Sequence, residues 1–213
     1  MLKKSVLFLL FSCLFGTIAF SGEAENYISK GNQFAKTRDY KSAVKEYKLA
    51  LTADPQNAAA NLLLGITYAN LKEYDKALHY AQNAVRLDPS FSAYYNLALI
   101  HVSTDNLAKA LEMFDNALGA NPSSYRVYFQ KGLVYSSQQE YVKAAESYEQ
   151  AVKLNPQFDQ AYLALGGAYY YQGDKVRAKQ QAGALRKIGH AQEAAALETW
   201  LKEKEKGNPA TTL

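Results

Sequence analysis

Five times along this chain a small residue is followed twelve places later by alanine, and in four of those cases a proline comes twelve places after that. The anchors are Gly31, Ala43 and Pro55; Gly65, Ala77 and Pro89; Ala98, Ala110 and Pro122; Gly132, Ala144 and Pro156; and Gly166 with Ala178. Self-similarity at 33 to 34 residues leaves few options. A unit of that length is one supersecondary element that cannot bury its apolar face alone, so it becomes stable only by stacking on its neighbours. The repeat predicts an array, with function on a surface rather than in an enclosed pocket.

Each unit carries two stretches with apolar residues at helical spacing, for example Tyr68 in the first and Leu78, Ala81 and Val85 in the second. That pattern predicts a pair of amphipathic helices per unit. The small anchors fall where the two helices cross, and a larger side chain there would push the backbones apart. Polar breakers such as Thr37-Arg38-Asp39 separate the helices of a pair. Asp54-Pro55, Asp88-Pro89, Asn121-Pro122 and Asn155-Pro156 close each second helix, because the residue before a proline is driven out of the α region.

Counted from seven residues before each small anchor, aromatic and apolar residues fall in register. Position 4 reads Tyr27, Asn61, Tyr94, Tyr128 and Tyr162; position 11 reads Phe34, Tyr68, His101, Tyr135 and Tyr169; position 24 reads Tyr47, Ala81, Phe114, Tyr148 and Ala182. Twelve of the 17 tyrosines stand at positions 4, 11, 17 or 24, which gives the tyrosine-rich composition a packing explanation. This unit resembles the tetratricopeptide (TPR) repeat. The resemblance implies an all-α solenoid, a right-handed superhelix of helix-turn-helix units at 24–57, 58–90, 91–124, 125–158 and a degenerate 159–189. At the place of a fifth proline stands His190, and 190–206 reads as a capping helix. Its expected inner side is Ala195, Leu197 and Leu201 with Trp200 nearby, and Lys202-Glu203-Lys204-Glu205-Lys206 is a solvated end with i,i+4 pairs. Gly207-Asn208-Pro209 stops it, and 207–213 is an expected disordered tail.

The N-terminal residues read as an address. Lys3 and Lys4 precede an apolar run from Val6 to Phe20, and Ala19-Phe20-Ser21 offers small residues where a signal peptidase reads. Residues 1–21 are therefore expected to be a signal peptide cut after Ser21, placing the protein in the periplasm or outside the cell. The run of 15 residues falls short of the ~20 a membrane-spanning helix needs. Without Lys3 and Lys4 the mature net charge is +4 − 2 = +2. The single cysteine, Cys13, lies inside the run, so the mature chain carries no thiol and suits an oxidising compartment. Leu10-Phe11-Ser12-Cys13 loosely resembles a lipobox, in which Cys13 would be lipidated and anchor the protein to a membrane. Bulky Phe11 and the apolar Leu14 to Phe20 that would follow the lipid count against it.

No catalytic constellation, metal-ligand spacing or phosphate loop emerges. His79, His101 and His190 fall in different helices, with no paired His or Cys motif beside them. No residue is given a catalytic or metal-binding role, no cofactor is implied, and the chain is not expected to be an enzyme. Interspersed charges and a mature charge of +2 also argue against nucleic acid.

Recognition of a protein or peptide is left, and the TPR resemblance implies it. In that family the first helix of each unit lines a concave groove. Carried onto this sequence, the groove comprises Ile28, Asn32, Leu62, Ile66, Tyr95, Leu99, Arg126, Phe129, Leu133, Leu163 and Tyr170. The third unit departs most from the pattern, with one residue fewer after Pro89, so the groove is expected to bend near Leu62, Ile66, Tyr95 and Leu99. An apolar stripe there, continuing through Phe129, Leu133 and Leu163, would dock an amphipathic helix or extended segment with Tyr95 and Phe129 as anchors. The carboxylate clamp of TPR co-chaperones is not expected: Asn32 matches, but its other positions hold Ile28, Leu63, Ser92 and Asn96. Together with the leader-like residues 1–21, the resemblance implies an exported binding or assembly module, and exported bacterial TPR proteins that resemble this one often serve envelope assembly or secretion. The alternative is a self-associating structural scaffold. Mass spectrometry of the protein from its native host is expected to find a chain starting at Gly22; an intact Met1 would defeat export, and a lipid on Cys13 would select the lipoprotein.

Overall fold

A computed structural model of the chain describes residues 22–207. The expected leader with its expected cut after Ser21, Cys13 and all of the expected tail beyond Gly207 lie outside the described residues. Among those described, all regular structure is α-helical: α1 over 22–36, α2 Tyr40–Ala53, α3 Ala58–Asn70, α4 Tyr74–Leu87, α5 Phe91–Ser103, α6 Leu107–Ala120, α7 Tyr125–Ser137, α8 Tyr141–Leu154, α9 Asp159–Tyr171, α10 Lys175–Lys187 and α11 Ala191–Glu205. The chain divides into two compact units, the second starting at Phe114 within α6.

Two kinds of link alternate. The tight link inside each pair turns on one residue with left-handed backbone: Arg38 (φ 62°), Lys72 (61°), Asp105 (56°), Gln139 (61°) and Gly173 (87°). In each, two N–H groups reach back over the last turn of the helix. Lys72 donates to the Ala69 carbonyl and Glu73 to that of Tyr68, both at 2.9 Å, which satisfies carbonyls the helix end would otherwise leave bare. The looser link, between pairs, begins at the residue before proline. Asp54 and Asn155 are extended there, and their side chains accept from Gln56 N–H and Gln157 N–H at 3.2 Å, an Asx turn that starts the chain back. After Asp88 the link is one residue shorter, and it closes with the Ser90 N–H on the Asp88 carbonyl at 2.8 Å. Side-chain caps start several helices: Asp39 on Ser42 N–H, Asn57 on Ala60 N–H and Asp174 on Arg177 N–H.

The helix crossings explain the small anchors. A Cβ on Gly31 would collide with the ring of Tyr47, and one on Gly132 with that of Tyr148. In the second pair position 24 is Ala81, and there the gap closes by backbone approach: a Cβ on Gly65 would stand 3.1 Å from the Ala81 amide nitrogen. In the fifth pair position 24 is Ala182, and the side chain over Gly166 is Leu197 from α11, 2.8 Å from a Cβ placed there. A tyrosine buried in this way must still satisfy its hydroxyl, and Tyr47 donates to Asn32 Oδ1 at 2.7 Å. Burial pushes the Tyr148 phenol up to about 12, so it stays neutral.

In the first unit the core gathers Ala43, Tyr47, Leu64, Tyr68, Ala77, Ala81, Leu97 and Ile100. In the second, Tyr148, Leu165, Leu185, Leu197, Trp200 and Leu201 lie at its centre. Helix α11 packs on α9 and α10, covering apolar surface that a following pair would otherwise cover. One expectation about it is corrected: Ala195 is exposed, and the buried alanine is Ala194. Residues 194, 197 and 201 repeat at three and four and so share a stripe, whereas 195 is rotated about 100° away from 194.

His101 stands where the other pairs have Phe or Tyr. It is 4% exposed, and its Nδ1 has no hydrogen-bond partner. Burial, reinforced by Lys109 and opposed by Glu112, holds its pKa below the ordinary 6.5.

Two predictions follow from these contacts. Gly132→Ala is expected to lower stability in urea by about 1–3 kcal/mol because the Tyr148 ring must move. The same change at Gly183, mid-helix in α10 with open space around it, is expected to raise stability by about 0.5–1 kcal/mol. Equal shifts would show that the crossing does not dictate glycine. For His101 the folded chain binds fewer protons than the unfolded chain, so stability is expected to fall as pH drops below about 6.5 and to level off below the folded pKa. His101→Phe should flatten that part of the urea midpoint against pH; parallel curves for the two proteins would refute it.

Candidate functional site

In the first unit the residues expected to bind a partner come from α1, α3 and α5. Ile28, Asn32, Leu62, Ile66, Tyr95 and Leu99 are all half-buried. Ile66 and Leu99 are brought together: with Ala69, Asn70, Asn96, Ile100 and Ser103 they line a hollow of about 230 Å³ between α3 and α5. One of its walls, α5, is the helix that follows the shortened Asp88–Ser90 link. None of its lining side chains is charged. Asn70 donates to the Ile66 carbonyl at 2.9 Å, Asn96 to that of Ser92 at 2.8 Å, and Ser103 to that of Leu99 at 3.0 Å. Each amide thus has one N–H committed to its own helix and retains a second N–H and a carbonyl oxygen. The result is an apolar floor with a neutral polar margin.

The other expected residues serve several ends. Asn32 holds the Tyr47 hydroxyl, so its oxygen is already engaged. Tyr95 stacks on Phe91 with ring centroids 5.7 Å apart. In the second unit Arg126 is exposed and lies over the Tyr125 ring at 5.6 Å. Phe129 packs on Tyr148 at 5.6 Å and edge-on to Phe158 at 4.9 Å, so much of its area already belongs to the core. Leu163 and Tyr170 also pack against that core, Tyr170 edge-on to Trp200 at 5.2 Å. Leu133, at 41% exposed, is the most open apolar residue of the expected set. Asn96 and Ile100 were not among the residues expected on this face. Their contribution depends on how closely α5 lies against α3, which the sequence pattern does not display. Two further clefts, of about 520 Å³ at the Lys72–Lys76 turn and about 500 Å³ between α7 and α8, are lined largely by charged and polar groups such as Glu73, Lys131, Lys143 and Glu146.

Family models described as tetratricopeptide repeats match residues 35–100 and 91–124, and one described as TPR repeat matches 132–173. A crystal structure of MamA is 30% identical, with a TM-score of 0.67, over 83% of this chain and 96% of that one.

The chain belongs to the tetratricopeptide repeat family.

Its fold is also that of YrrB, a TPR protein whose structure is described as having an unusual peptide-binding site, at 20% identity and TM-score 0.67 over 85% of this chain and 98% of that one. Protein bimA of Emericella nidulans is 34% identical over 101 residues, which is 47% of this chain and 12% of bimA. The chain spans under a third of the length of the curated relatives matched first. Among the described residues no helix is long and apolar enough to cross a membrane.

Proposed function

We propose that the chain is an exported, non-catalytic module that binds an apolar segment of a partner protein on the face of its first unit formed by α1, α3 and α5, anchored at the hollow between α3 and α5. The observation that carries the reading is that hollow: Ile66 and Leu99 form an apolar floor whose margin is neutral amide and hydroxyl groups. A charged partner terminus would find no opposite charge there, and burying it without one would cost. This argues for an uncharged, apolar partner segment and, together with Ile28, Leu63, Ser92 and Asn96 at the clamp positions, against a chaperone carboxylate. A relative named Hsp70-Hsp90 organizing protein 3, of Arabidopsis thaliana, 30% identical over 47% of this chain, and the peptide site attributed to YrrB support partner binding as the kind of work this fold does. The leader-like residues 1–21 support an extracytoplasmic setting, with envelope assembly or secretion as the process served.

The test is affinity capture from the native compartment with the mature chain as bait, followed by affinity measurement on the recovered partner. Leu99→Lys is expected to weaken binding about thirtyfold or more, the scale of an interface hot spot, with the helical circular dichroism retained. Val142→Lys, at a position 60% exposed on α8, is expected to change nothing. Equal loss in both variants, or loss in neither, would remove the hollow from the interface. Light scattering that found the purified chain strictly monomeric would remove the self-associating scaffold.

A further inference from the structure

Folding places side chains together that are far apart in the sequence. Asp159 is the first residue of α9, His190 precedes α11, and Glu193 lies in its first turn. His190 Nδ1 is 3.6 Å from Asp159 Oδ2 and 3.7 Å from Glu193 Oε2, and the ligand atoms of all three lie within 4.8 Å of one another. We infer that these three side chains form a site for one divalent transition-metal ion of the zinc type, which would clasp the start of α9 to the start of α11.

The geometry is near what such an ion requires. Bonds of about 2.0–2.1 Å in a tetrahedral centre place neighbouring ligand atoms about 3.4 Å apart, so two of the three separations need shifts of only a few tenths of an ångström. The orientation of one ligand is already set: Asp159 Oδ1 accepts the Gln160 N–H at 2.8 Å, and the other oxygen is the one nearest the imidazole. A hydrogen bond that orients a ligating carboxylate in this way is a regular part of metal sites. The side chains of His190, Asp159 and Glu193 are 33%, 30% and 35% exposed, which leaves room for water as a fourth ligand. Two carboxylates and a neutral imidazole sum to −2 and match a divalent charge. Mixed nitrogen and oxygen donors suit Zn²⁺ and its first-row neighbours; they lack the sulfur that selects Cu⁺ and the six to eight oxygens of a Ca²⁺ site.

The bland explanation accounts for only part of this arrangement. Asp159 and Glu193 each stand in a first helical turn, where the macrodipole favours an acid with or without metal. That explains the two carboxylates but not the imidazole between them, since His190 makes no side-chain cap bond to α11. Beneath the site, Leu197 and Trp200 on α11 join the core that holds α9, so a bound ion would reinforce an existing contact.

The test uses the mature chain after treatment with EDTA, titrated with ZnCl₂ in a calorimeter at pH 7.5 and followed by thermal unfolding. One Zn²⁺ per chain and a higher unfolding midpoint are expected; Mg²⁺ should produce neither. His190→Ala and Asp159→Asn should each lose tenfold or more in affinity and lose the rise in midpoint, while His79→Ala, which alters an exposed histidine on α4, should retain both. Circular dichroism of the metal-free variants checks that they fold. Absence of stoichiometric Zn²⁺ binding, or binding unaffected by both variants, overturns the site.

Discussion

The close crossing of two helices within each pair is the contact on which the rest of the structure depends. It fixes Gly31 and Gly132, because the rings of Tyr47 and Tyr148 occupy the space a Cβ would need. It also fixes what the buried rings require in turn, such as the Asn32 oxygen that receives the Tyr47 hydroxyl. In the first, second and fourth pairs the residues at positions 8 and 24 are therefore coupled: glycine under tyrosine, or Gly65 against Ala81 with the backbones themselves in contact. Packing at the density of an organic crystal leaves no slack between these solutions. Each crossing then sets the direction in which its first helix presents side chains.

Partner binding and packing compete for the same residues. Phe129, Leu163 and Tyr170 stand at positions that TPR proteins turn toward a ligand, yet here they rest against Tyr148, Phe158 and Trp200 or the core around them. An aromatic side chain that already has neighbours has less area left to lose on binding, which shifts the expected anchor from Tyr95 and Phe129 toward Ile66 and Leu99. Those two residues border a hollow that the chain's own side chains do not fill. The shorter link at Asp88–Ser90 introduces α5 beside α3, and the hollow lies between these helices.

The end of the array shows the same economy of parts. Leu197 of α11 occupies the space over Gly166 that tyrosine fills elsewhere, so the last helix completes a crossing that the fifth pair leaves open with Ala182. Its start, at His190 and Glu193, lies beside the start of α9 at Asp159.

Much of the architecture was legible in the sequence because a repeat states the same physical requirement several times. Helices, pairing, small anchors and proline-led links follow from residue types at fixed offsets, and tyrosines in register identified themselves as packing residues. The left-handed residue in each tight turn was less visible: Gly173 announces it, but Arg38, Lys72 and Gln139 are not turn-forming types, and their φ near 60° goes with the pair of backbone hydrogen bonds that closes each helix end. The inner face of α11 was misjudged by one residue at Ala195, since without a repeat there was no register to fix its rotation. Which first-helix side chains remain available, and which histidine meets two carboxylates, were decided by tertiary structure alone. Both depend on distances between helices that are remote in sequence, and periodicity specifies which face of a helix is apolar without specifying how completely a neighbour covers it.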